Sequence, residues 1–127
     1  MQRIMSVAMG ALCAAACSAP AMARTETVTG QVVDLYCYNV ETKANSGMDH
    51  QPGHNCAYAC ARWEGQPVGI VTSGGKVYQL AGGLVANSNI KIAPHMAHTV
   101  TVTGDVVEKN GIMVLTANAL TMVNAPK

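Results

Sequence analysis

The chain has 127 residues, half of them hydrophobic, and its eight basic and seven acidic side chains leave a net charge of +1. That balance excludes the basic stripe that a phosphate backbone requires and the polybasic cluster that holds a protein to an anionic membrane surface. Five cysteines, set against no Phe, one Trp and four Tyr, point to sulfur chemistry rather than to aromatic stacking of bases.

The first 23 residues read as a secretory signal. Arg3 supplies the positive start, Ile4 to Ala16 the apolar run, and Ala21-Met22-Ala23 the small-x-small cleavage pattern. The run is shorter than the roughly 20 apolar residues of a spanning helix, and no later stretch approaches that length. The mature chain is therefore expected to begin at Arg24, periplasmic or secreted, as a single domain over 24–127. Cleavage and lipidation at Cys17, in Ala-Ala-Ala-Cys-Ser, is a lesser route because the usual upstream leucine is missing. After cleavage at Ala23, Cys13 and Cys17 are gone and Cys37, Cys56 and Cys60 remain. An odd number of cysteines in an exported protein implies one of three outcomes: a disulfide plus a spare thiol, a pair between chains, or thiolates given to a metal. About 104 mature residues form one small core, near the lower limit of what folds without a staple.

The segment TVTGQVVDLYCY, Thr27 to Tyr38, is rich in β-branched and aromatic residues and predicts a first strand. Its apolar parity changes between Val28/Val32 and Val33/Leu35/Cys37, which predicts a bulge near Val32, with Gly30 permitting a bend. Asn39 to Gly53 has loop composition. Asn55 is placed to cap a short helix over Cys56 to Glu64, ended by Gly65 and Pro67. Pro67 to Gly82 predicts a hairpin around Ser73-Gly74-Gly75, and Gly83 to Ala97 a short irregular helix. His98 to Val123 predicts two more strands turning at Lys109-Asn110-Gly111. Five strands and one short helix, in the insertion after the first strand (about 39–66), give a mainly β chain forming a small curled antiparallel barrel. A sandwich would want about seven strands. A short echo, VTGQVVDLY and VTGDVVEKN, reads as two strands solving one bend with Gly30 and Gly104.

The order VTGQVVDLYC, PVGIVTSGGKVYQLAG, HTVTVTGDVVEKNGIMVLTANAL resembles the small exported bacterial OB-fold-like proteins over most of the mature chain. The resemblance implies a five-stranded barrel and leaves the function open, because OB barrels host many ligands. On this pattern the Cys/His segment is an insertion where such barrels present a binding loop.

That insertion carries HQPGHNCAYAC, His50 to Cys60. On a helix, Cys56 and Cys60 share a face with Cβ atoms about 5–6 Å apart. A disulfide wants about 3.8 Å, so a bridge between them is strained, while two thiolates converging on one ion meet no such misfit. Cys37 is the candidate third sulfur and His54 the candidate nitrogen of a Cys3His set, with His50 as the alternative fourth ligand. Such a set suits structural zinc or Cu(I) and predicts a binding or structural role rather than catalysis. The spacing Cys-x18-Cys-x3-Cys is not a standard zinc-finger pattern.

The rival readings are a disulfide from Cys37 to Cys56 or Cys60 that staples a partner-binding module, and a thiol-disulfide redox or assembly factor acting on another periplasmic protein. Asp34 is a candidate to orient His54, against the plainer expectation that it faces solvent or caps a turn. Tyr36, Tyr38, Tyr58 and Trp63 either line a pocket beside the cluster or form the barrel's aromatic core. Arg62 and Glu64 read as an exposed helix face. His95-Met96-Ala97-His98, with Met48 in the loop, forms a second soft-ligand grouping whose plainer reading is surface and core edge; Met113 and Met122 are expected in the core.

Overall fold

A computed structural model of the chain describes residues 22–40 and 56–123. The predicted signal up to residue 21, the Cys17 lipidation site, Met48, His50, His54 and Asn55 lie outside the described residues. No helix among the described residues is long and apolar enough to cross a membrane.

The strands are β1 (Arg24–Asp34), β2 (Val68–Val71), β3 (Val77–Ala81), β4 (Thr99–Lys109), β5 (Ile112–Thr116) and a two-residue β6 (Thr121–Met122). Neighbours run β1-β2-β3-β5-β4-β6, and a further β1–β4 pairing closes the first five into a barrel. The mainly β, OB-like barrel read from the sequence is therefore present. One expectation changes: β3 and β5 pair in parallel, from Tyr78↔Met113 to Ala81↔Thr116, so the barrel is not wholly antiparallel. The chain between them is long enough for the crossover that a parallel pair needs, because β4 lies in it. β6 is a sixth strand that the sequence pattern did not announce.

Both predicted hairpins form. Ile70↔Tyr78 pairs across the first, and its turn is closed by the Thr72 N–H donating to the Lys76 carbonyl at 2.9 Å. The second turns at Asn110 and Gly111, both left-handed with φ of 51° and 78°, as a two-residue hairpin loop requires.

The predicted bulge near Val32 is absent from β1 itself; the extra residue lies on the facing chain, where Ala97 and His98 both bond to Val32. The β1–β4 register runs from Arg24↔Val106 to Gln31↔Thr99 without an extra residue. The parity change has another cause: Gln31 pairs with both Thr99 and Val71, and from there β1 runs along β2 while Val32 still donates to the His98 carbonyl at 3.0 Å and accepts the Ala97 N–H at 2.8 Å. There Val32, Val33 and Asp34 are all buried, so alternation disappears because both faces are covered.

The VTGxVV echo also has a geometric meaning. Val28 is paired with Val102, its own counterpart in the repeat, so the two copies are related by a local two-fold axis through that pair. Gly30 and Gly104 then lie symmetrically on either side. A Cβ on Gly30 would stand 2.4 Å from the Val71 carbonyl oxygen, and one on Gly104 2.2 Å from that of Thr116. Each glycine lets a neighbouring strand cross at backbone contact. Gly104→Ala is expected to lose about 2–4 kcal/mol in denaturant unfolding, through backbone displacement. Gly74→Ala, whose Cβ would find its nearest neighbour at 3.9 Å, should stay within about 0.5 kcal/mol.

The core combines Val28, Val32, Ile70, Leu80, Val100, Val102, Val106 and Leu115 from the barrel with Leu84, Ile92, Ala93 and Met96 from the β3–β4 connection. That connection is irregular, as expected. It holds 3-10 turns at Gly83–Val85 and Ala93–His95, and between them a four-residue helical turn, Ala86–Asn89, in which Asn87 and Ser88 take left-handed angles.

Candidate metal centre

Two short helices follow β1. The first, α1 (Leu35–Val40), corrects the prediction that the strand continues to Tyr38 and that Cys37 ends it. The strand stops at Asp34, whose carboxylate accepts the Tyr36 N–H at 2.9 Å. This is the cap expected of an Asp preceding a helix. Leu35 fixes the junction: its N–H donates to the Pro67 carbonyl at 2.9 Å, and its side chain packs so closely on Gly69 that a Cβ there would lie 2.7 Å from it. Cys37 is thereby carried on a helix whose first residue is anchored to the start of β2.

The second helix, α2 (Cys56–Arg62), was expected over Cys56–Glu64 and ends two residues earlier. Its sequence, CAYACAR, explains its placement. Ala57 and Ala61, one turn apart, are both buried in the core and allow close approach to the barrel. Cys56 and Cys60 each precede one of these alanines, so the helical period sets them on the adjoining stripe at the edge of the core. Cys56 is exposed and Cys60 half-buried.

The C-terminal end of α2 is held by a residue that the sequence reading passed over. Asn89 is buried, and its amide donates to the Ala61 carbonyl at 2.7 Å and to the Gln66 carbonyl at 2.9 Å. The Ala61 carbonyl lies in the last turn of α2, where a helix leaves its carbonyls without an intrahelical partner, and the Gln66 carbonyl belongs to the segment that follows, so Asn89 ties the two together. The signal was the run Asn87-Ser88-Asn89, since asparagine tolerates the left-handed backbone this turn adopts.

Cys37, Cys56 and Cys60 come together as predicted, with all three sulfur atoms within 4.8 Å of one another. All three are free thiols, and the Cys56 and Cys60 sulfurs are 3.9 Å apart. That is nearly twice the S–S bond of about 2.05 Å. Two thiolates bound to one tetrahedral ion at about 2.3 Å stand about 3.8 Å apart, which the observed separation matches.

Burial, above all, pushes the Cys37 thiol up to about 12. The hydrogen bond and negative charge of Asp34 add to it, followed by the charges of Cys60 and Cys56. Cys60 is pushed up to about 11, first by burial and then by Cys56 and Asp34, while a hydrogen bond from Cys37 opposes the rise. Without a cation these two sulfurs are thus protonated near neutrality, and a bound ion supplies the positive charge that ionises them.

Asp34 is fully buried beside Cys37, so the expectation that it faces solvent is overturned and the expectation that it caps is met. Its carboxylate orients Cys37. Asp34→Asn preserves the cap and removes the charge, so the Cys37 value should fall. The check is alkylation at pH 8–9, where Cys37 in the variant should react several-fold faster with the far-ultraviolet spectrum unchanged.

The aromatic residues near the cluster divide: Tyr58 packs against the edge of the core, while Tyr36 and Trp63 face outward. Tyr36 and Trp63 are 60% and 74% exposed, and Tyr58 meets Trp63 edge to face with centroids 5.8 Å apart. The buried aromatic of the barrel is Tyr78 instead. Arg62 is half-buried and Glu64 exposed.

No protein-family model matches the chain, and no curated protein or solved structure is significantly similar to it. The three-sulfur site therefore stands on its own geometry.

Proposed function

We propose that the chain is an exported, periplasmic or secreted protein that holds one zinc or copper ion through Cys37, Cys56 and Cys60, with His54 as the fourth ligand, in a binding or structural role. The observation that carries this reading is the set of three free sulfurs within 4.8 Å of one another, drawn from two helices that the barrel positions separately. Three sulfurs favour thiophilic ions, which restricts the choice to zinc, Cu(I) and their chemical relatives. His54, two positions before α2 in the sequence, would complete the Cys3His set that structural zinc prefers.

The thiol-exchange alternative finds less support. An attacking cysteine needs an appreciable thiolate fraction near neutral pH, whereas Cys37 and Cys60 are shifted in the opposite direction. Metal analysis of the protein purified from its exported compartment, beside a titration of free thiols, tests the proposal. One equivalent of zinc or copper per chain, with the thiols masked until a chelator is added, is the expected result. A metal-free protein with one disulfide and one free thiol would sink it.

A further inference from the structure

A second group of soft ligands lies outside the cysteine cluster, on the part of the chain that links the β3–β4 connection to the C-terminal strand. His95 ends the 3-10 turn Ala93–His95, and Met122 ends β6. β6 is fixed by Val100↔Met122 pairing and by the Val123 N–H donating to the Thr99 carbonyl at 3.0 Å. These contacts bring the Nδ1 atom of His95 to 3.0 Å from the Met122 sulfur. The neighbouring Met96 plays no part, because it is buried in the core.

We propose that His95 and Met122 form a second metal site, selective for monovalent copper. A thioether is only a weak hydrogen-bond acceptor, which makes it a poor reason to hold a half-buried imidazole at this distance. It is a good ligand for soft ions. Thioether sulfur selects Cu(I), imidazole serves zinc and copper alike, and the choice common to both is copper. An ion about 2.0 Å from the nitrogen and about 2.3 Å from the sulfur bridges the observed separation with a ligand angle near a right angle. Opening that angle to the trigonal value needs a shift of about 0.7 Å, within the reach of a methionine's three rotatable bonds.

His98 is the candidate third ligand. Its N–H donates to the His95 carbonyl at 3.0 Å, one tight turn away.

The site shares no ligand with the cysteine cluster, so each stands or falls alone. The test is an anaerobic titration of the full chain with Ag(I), a redox-stable substitute for Cu(I), following the methionine methyl resonances and the histidine ring resonances by NMR. The Met122 methyl and His95 ring signals should shift together and saturate at one equivalent beyond that taken by the thiols. Met122→Leu, which conserves volume, and His95→Gln should each weaken that step at least tenfold while leaving the thiol step unchanged. In a Cys56→Ser/Cys60→Ser variant the methyl shift should persist, now as the first step. Met122 and His95 signals that stay in place through several equivalents, or a second step unaltered in folded Met122→Leu protein, would overturn the proposal.

Discussion

Cys37→Ser is expected to weaken zinc or Cu(I) binding by roughly three orders of magnitude, since it removes one of three charged ligands from a site whose full occupancy is of order 10 kcal/mol or more. Cys56→Ser and Cys60→Ser should fall in the same range, because the three sulfurs converge on one point and none has a duplicate. The effect will appear in stability as well as in metal content. An ion at a thousand times its dissociation constant stabilises the folded chain by about 4 kcal/mol. In a domain of this size that corresponds to a rise in Tm of about 15 °C or more. Wild-type protein should show that rise on metal addition, and each serine variant should lose nearly all of it. Equal rises in wild type and variants would show that the added stability does not come from this site.

The second large effect is on pH. Binding must displace the protons from Cys37 and Cys60, which the structure holds at about 12 and 11. Because the metal-free form keeps these protons well above neutrality, affinity rises with pH and is lost as pH falls. Each displaced proton gives about a tenfold change per pH unit, so Cys37 and Cys60 alone contribute roughly a hundredfold, and affinity should change by at least about 10⁴ between pH 6 and pH 8. Competition with a chelator of known affinity at three pH values measures the slope. A slope near zero would mean that the ion is held by groups already ionised, and would exclude these two thiols as ligands. Asp34→Asn should displace the curve toward lower pH without changing its slope, because it alters one cause of the Cys37 shift and leaves burial, the largest, in place.

Much of this was legible in the residues. Asn110-Gly111 and Ser73-Gly74-Gly75 specify their hairpins locally, so both could be read directly. The CAYACA run encodes both the seat of α2 and the stripe that presents its cysteines, since the helical period links them. Other features depended on contacts distant in sequence. The loss of alternation after Gln31 imitates a bulge, and only the second partner strand distinguishes the two. Cys37 read as strand because it continues the β-branched and aromatic run from Thr27 to Tyr38; Asp34 overrides that run by capping a helix there. The same residue was expected at the surface on account of its charge, yet it is buried where a thiol and a backbone N–H can use it. Asn89 was invisible as a support of α2 because Ala61 and Gln66 lie more than twenty residues before it.

The closing of the barrel has a kinetic side. Thr27 meets Thr103 across the β1–β4 seam, a separation of 76 positions. Contacts of that range form late, after much chain entropy has been lost. The stretch from β1 through β3 carries all three cysteines and can assemble its own strand pairs before β4 arrives. During that interval one edge of β1 is open, and an open edge is a template for a second chain. An ion captured by the three sulfurs would hold β1, α1 and α2 together over this period, so the metal's influence would extend to the yield of refolding as well as to the stability of the finished barrel.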